Sequence, residues 1–136
     1  MAQILIVIGA AIFGLLGVVH LALTFLSNKF DPYDASVTEA MKQTSPRLTK
    51  RTTMWKAWIG FNASHSDGAI LVTAFYIPLA VYHFEIIEQS LWFLLLPIVV
   101  ALSYLVLAKL YWFRTPLVGI AISTLCFIGA AIDILV

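Results

Sequence analysis

The stretch 58–72, WIGFNASHSDGAILV, places a dense polar cluster inside an apolar segment that runs from residue 53 to residue 82. Apolar residues flank the cluster on both sides, a pattern typical of a helix within a bilayer rather than of a loop. Polar and ionisable groups at such a depth are costly unless they are paired. We therefore expect the cluster, Asn62 to Gly68, to lie on a membrane helix and to need partners.

The composition of the whole chain supports a membrane setting. Hydrophobic residues make up 62% of the 136 residues and charged residues only 11%, whereas soluble domains have roughly 45–50% apolar and about 25% charged residues. The length fits one domain. No basic patch with interleaved aromatics is present, so we expect no nucleic-acid partner. The single cysteine, Cys126, excludes an internal disulfide framework.

Four apolar segments predict an all-α integral membrane protein, an antiparallel bundle of four transmembrane helices in a single domain. Each segment is long enough to cross a hydrocarbon core of about 30 Å at about 1.5 Å per residue. The predicted spans are residues 3–27, 53–82, 90–113 and 116–136.

The segment 28–52 is polar and predicts a loop after the first span. Within it, Ser36-Val37-Thr38-Glu39 fits a capping box, which indicates a short surface helix over 36–44. Thr52 or Thr53 is suited to cap the second span. Pro78 is expected to kink or loosen the end of that span, and the segment 83–89 is expected to be a brief turn.

The basic residues predict the orientation. All eight Lys and Arg residues fall on one side of the four-span arrangement: six in or beside the 28–52 loop, and Lys109 and Arg114 at the last turn. The turn at 83–89 carries Glu85 and Glu88 and no basic residue. The positive-inside rule then places the loop in the cytoplasm and both termini outside, on the periplasmic or extracytoplasmic face of a plasma (inner) membrane.

Two histidines are predicted to lie at a similar depth on neighbouring helices. His20 lies about 10 Å from the loop end of the first span, and Asn62 and His65 lie roughly 6–15 Å from the Trp55–Trp58 belt. Helices joined in sequence usually pack together. The candidate ligand or cofactor residues are therefore His20, Asn62, His65 and Asp67, with Ser64, Ser66 and Trp58 as supporting polar residues.

The candidate residues of the second span lie on two different faces of its helix. At about 100° per residue, Asn62, His65 and Ser66 share one face, whereas Ser64 and Asp67 point elsewhere. One partner helix cannot satisfy both faces. We therefore expect protein around the second span at this depth, or an opening of its backbone near Gly68.

Several functions fit this pattern. His20 and His65 are suited to act as axial ligands of a haem or another tetrapyrrole, or to bind a metal that Asp67 completes. The structural alternative is a hydrogen-bond network that fixes helix packing. Two further alternatives are open. The protein is a component of a proton or small-molecule transporter, or it is an intramembrane enzyme that acts on a lipid-soluble substrate.

The hypothesis ranked first is a small accessory or scaffold subunit of a larger membrane complex. The predicted outer loop at 83–89 is small and the termini lie nearly flush with the membrane, so we expect little soluble apparatus and a role that depends mainly on the helix surfaces. The expected partners are the lipid bilayer and other membrane subunits, or further copies of the chain. No catalytic residue and no specific metal follow from the sequence.

Overall fold

A computed structural model describes residues 1–136 as helices and connectors without any strand. The all-α prediction is confirmed. The helices are α1 (Ala2–Leu26), α2 (Ala35–Gln43), α3 (Met54–Tyr82), α4 (Phe84–Gln89), α5 (Leu91–Tyr111) and α6 (Arg114–Leu135).

Three of these helices, not four, are long and apolar enough to cross a membrane: α1, α5 and α6. They indicate a small membrane protein. The remaining long helix, α3, is the longest of all at 29 residues. It is long enough to cross a membrane but not apolar enough. The polar residues from Asn62 to Asp67 interrupt its middle and lower the mean hydropathy of any membrane-length segment of the helix.

The chain divides into two compact units, Met1–Leu16 with Ala69–Val136, and Gly17–Gly68. The first unit has a core in which small residues allow close approach of backbones. A Cβ added to Gly9 would lie 3.0 Å from the Phe127 ring, and one added to Gly14 would lie 2.6 Å from Thr73. Its fully buried larger side chains include Ile6, Phe13, Ile87 and Phe127.

Hydroxyl groups connect the helices of the first unit. Thr73 Oγ1 donates to the Ala10 carbonyl at 2.6 Å, and Ser123 Oγ donates to the Gly9 carbonyl at 2.7 Å. The Tyr76 hydroxyl donates to the Phe93 carbonyl at 2.9 Å. Such bonds hold apolar helices in register where the burial of apolar surface gives little drive for association.

The second unit contains the end of α1, the polar connector with α2, and the start of α3. Two hydrogen bonds order the connector: the Met54 amide donates to the Thr44 carbonyl at 2.9 Å, and the Trp58 indole donates to the Phe30 carbonyl at 3.1 Å. Thr53 Oγ1 accepts from the Lys56 amide at 3.3 Å, at the start of α3.

Some local predictions need correction. Asp34, rather than Ser36, caps α2, because its carboxylate accepts from the Ser36 amide at 2.8 Å. The segment 83–89 is mostly a helix, α4, rather than a turn. The backbone of α3 does not open near Gly68, because the helix is continuous from Met54 to Tyr82. The kink expected at Pro78 stays a prediction.

Candidate functional site

The second unit brings His20 of α1 against Asn62 of α3, with His20 Nε2 and Asn62 Oδ1 3.0 Å apart. The Asn62 amide nitrogen donates to the Trp58 carbonyl at 2.9 Å. Because a carbonyl oxygen only accepts, this bond fixes the orientation of the Asn62 amide and turns its oxygen towards His20. We therefore assign the hydrogen to Nε2 of His20, which leaves Nδ1 as the lone-pair nitrogen of the neutral ring.

Two further rings contact His20. The His65 ring lies edge-on, with centroids 5.3 Å apart and an angle of 70° between the planes. The Phe30 ring lies 4.3 Å away at 38°. The site is thus a pair of half-buried imidazoles from α1 and α3, covered in part by an aromatic residue of the connector.

The supporting residues act mainly on the backbone. Trp58 holds the Phe30 carbonyl through its indole nitrogen and so fixes the residue whose ring contacts His20. Ser66 is fully buried, and its hydroxyl donates to the Asn62 carbonyl at 2.9 Å. Thr24 donates to the His20 carbonyl at 2.8 Å. The Ser66 and Thr24 bonds each satisfy a carbonyl of their own helix one turn away, whereas the Trp58 bond joins α3 to the connector.

Ser64 and Asp67 do not join this site. Both are exposed on α3, and Ser64 Oγ donates only to the Phe61 carbonyl one turn earlier, at 3.1 Å. Asp67 takes part in none of the salt bridges of the chain. The polar cluster is therefore divided between two faces of α3 in the folded chain, and the face that carries Ser64 and Asp67 is exposed.

The geometry bears on the cofactor hypothesis in two ways. No group of three or more His, Cys, Asp or Glu side chains is placed to hold a metal ion. A tetrapyrrole held by both histidines would have to lie between the imidazoles, whereas these rings contact each other directly. The residues present therefore do not fit a bis-histidine haem site in this conformation.

Sequence reasoning missed one member of the site, Phe30. It stands four residues after the end of α1 in a polar connector, and its position as a large apolar residue among polar neighbours is the only signal of it. Its contact with His20 depends on the path of the connector, which no helical periodicity predicts.

Comparisons with protein-family models, with curated proteins and with solved structures gave no match to this chain. The apolar helices indicate a small α-helical membrane protein, and its candidate site is a hydrogen-bonded histidine–asparagine pair between two helices.

Proposed function

We propose that the protein is an accessory or scaffold subunit of a larger membrane complex and that its polar cluster fixes helix packing. One observation carries this proposal: a chain of hydrogen bonds joins His20 of α1, Asn62 and Trp58 of α3, and the connector. The imidazole bonds to Asn62, Asn62 bonds to Trp58, and Trp58 bonds to Phe30. No buried side-chain nitrogen or oxygen lacks a partner.

A closed network of this kind suits a structural role. A catalytic or transport site needs donors or acceptors that are available to a substrate, whereas here Nε2 of His20 and both polar atoms of the Asn62 amide are occupied within the chain. Interhelical hydrogen bonds in a bilayer contribute about 0.6–2 kcal/mol each. Such a contribution is sufficient to select one helix register.

The proposal includes α3 as a fourth membrane span. Its 29 residues give a length of about 43 Å, which exceeds the hydrocarbon thickness. From Ala57 to Tyr82 its only formally charged residue is Asp67. With four crossings of a plasma (inner) membrane, all eight basic residues lie on the cytoplasmic side. Both termini then lie on the outer side.

The test is isolation of the tagged chain, expressed at its native level, from its own membranes. We expect a second membrane protein at constant stoichiometry in two unrelated mild detergents and in lipid nanodiscs. A tagged, unrelated four-span protein from the same membranes serves as the control. Recovery of the chain alone, or of companions that change with the detergent, contradicts an accessory role.

A second candidate function, metal binding at the histidine pair, is favoured by the contact between two imidazoles from different helices. Neutral imidazole is a common ligand of transition metals. Elemental analysis and an absorption spectrum of the isolated native material distinguish the two functions. Stoichiometric metal that is lost in His20→Ala and His65→Ala supports metal binding, and metal-free, colourless protein rules it out.

A further inference from the structure

We propose that the exposed face of α3 formed by Gly60, Phe61, Ser64 and Asp67, hereafter the α3 outer face, is the contact between two copies of this chain. The inference rests on the proposed function in one respect, since it requires α3 to cross the membrane. It goes beyond that function because it assigns a surface and an occupant.

The position of Asp67 gives the first reason. It lies one residue before the midpoint of α3, which spans 54–82, and its side chain is exposed. Either end of the helix is about 20 Å away, a distance that a short aspartate side chain cannot bridge to reach the headgroups. A carboxyl group at the bilayer centre is costly unless protein groups bind it.

The division of faces on α3 gives the second reason. Asn62 and Ser66 have partners within the second unit, and His65 contacts His20 there. Ser64 and Asp67 lie on the other side of the helix, one turn apart. The polar groups of α3 thus need a second neighbour, and the chain supplies none at this face.

Gly60 gives the third reason. A Cβ at this position would meet no atom within 4 Å, whereas Gly9 and Gly14 lie against other helices of the first unit. Gly60 and Ser64 are four residues apart, and small residues at this spacing allow two membrane helices to approach closely. Phe61, 76% exposed, borders the open space beside Gly60.

A second copy complements this face. Asp67 needs a hydrogen-bond donor, and Ser64 offers a hydroxyl whose present bond to Phe61 is local and exposed. Copies inserted in the same orientation are related by a two-fold axis along the membrane normal, so the same patch meets itself. Each Ser64 then donates to Asp67 of the other copy, and two equivalent bonds form.

The first experiment measures association of the purified chain alone in liposomes, by single-molecule photobleaching over a dilution series. We expect dimers in the wild type and in Asp67→Asn, which retains the acceptor oxygen. Asp67→Leu removes the acceptor, and its dissociation constant should rise about tenfold. Ser103→Ala, at an exposed serine of α5 with only a local bond, should associate like the wild type.

The second experiment locates the contact by oxidative crosslinking in membranes, with Cys126→Ala as the background. Phe61→Cys should form a disulfide-linked dimer, and Leu125→Cys, at an exposed position of α6, should not. A monomer at every dilution, unchanged association of Asp67→Leu, or crosslinking at residue 125 instead of 61 each overturns the proposal.

These outcomes separate the inference from the proposed function. Reconstitution of the chain alone needs no larger complex, so dimers form in liposomes even if no accessory partner exists. A failure of α3 to cross the membrane is detected independently by the side on which the C-terminus lies. Equal melting temperatures of Asp67→Leu and wild type show that lost association does not reflect unfolding.

Discussion

The Asn62 amide joins α3 to α1 and determines which nitrogen of His20 carries a hydrogen. Its nitrogen bonds to Trp58 and its oxygen to His20. The direction of both bonds follows from the Trp58 carbonyl, which only accepts. One side chain thus fixes a helix contact and a tautomer together.

Asn62→Ala should destabilise the protein by about 0.6–2 kcal/mol, because it leaves the His20 Nε2–H group without its acceptor. The measurement is thermal unfolding in detergent micelles. Ser103→Ala, which removes an exposed hydroxyl bonded only within its own helix, should leave the melting temperature unchanged. Equal effects of the two substitutions would show that the His20–Asn62 bond does not stabilise the fold.

The capping-box motif predicted a helix at α2 but not the residue that caps it. Ser36 to Glu39 matches a capping box, yet Asp34 occupies the cap position and α2 begins at Ala35. Asp and Ser are nearly equal as caps. The choice between two candidates two residues apart depends on where the connector ends, and the local sequence does not determine that point.

The Asp34 cap should respond to pH. Hydrogen bonds from the side chain and backbone amide of Ser36 lower the pKa of the Asp34 carboxyl group from its usual 3.8. Its stabilisation of α2 is therefore fully present above pH 3.8 and is lost as the pH falls through the lower folded-state pKa. The Ser36 amide resonance in an NMR titration should shift with a midpoint below 3.8.

Asp34→Asn is the matched variant for this titration. Asparagine caps helices as well as aspartate does but carries no ionisable group. The Ser36 amide should therefore remain bonded in the variant and show no titration over the same range. A titration that persists in Asp34→Asn would assign the transition to another group.

The close contact of α1 with α3 in the first unit depends on Gly14. A Cβ there would lie 2.6 Å from Thr73 Cγ2 and Oγ1, and Thr73 itself is held by its bond to the Ala10 carbonyl. Gly14→Ala should therefore destabilise the protein by about 1–3 kcal/mol through overpacking, in spite of the better helix propensity of alanine.

Gly129→Ala is the control for this substitution. Its Cβ would meet only Leu5 Cδ1 at 3.4 Å, an ordinary contact. Alanine is favoured over glycine within a helix by about 1 kcal/mol, so this variant should be as stable as the wild type or more stable. Thermal unfolding of both variants in one detergent checks the difference, and a Gly14→Ala protein as stable as Gly129→Ala would contradict the packing argument.

The sequence allowed part of the α3 arrangement to be predicted. Helical periodicity separated Asn62, His65 and Ser66 from Ser64 and Asp67, and the structure places the first group in the protein and leaves the second exposed. Periodicity describes the faces of one helix but not the number of its neighbours. The backbone of α3 is closed, so of the two expectations only protein around this depth stays a prediction, with its source outside the single chain.

The composition of the molecule indicates a membrane setting, because apolar runs of sufficient length have few other stable forms. The helix α3 marks the limit of that argument. Length favours a span, while the polar residues near its midpoint lower its hydropathy. Whether the bilayer accepts such a helix depends on how many of those groups have partners, which is a property of the folded chain.

The number of crossings determines the side of the C-terminus. With α1, α3, α5 and α6 in the membrane, all eight basic residues share one side; without α3, Lys109 and Arg114 would lie opposite the other six. The positive-inside rule therefore favours four crossings.

Alkaline phosphatase fused after Val136 should be active, and green fluorescent protein at the same point should be dark. Fusions after Lys50 should show the reverse and serve as the internal control. A fluorescent C-terminal fusion with inactive phosphatase would place α3 outside the hydrocarbon core and leave three crossings.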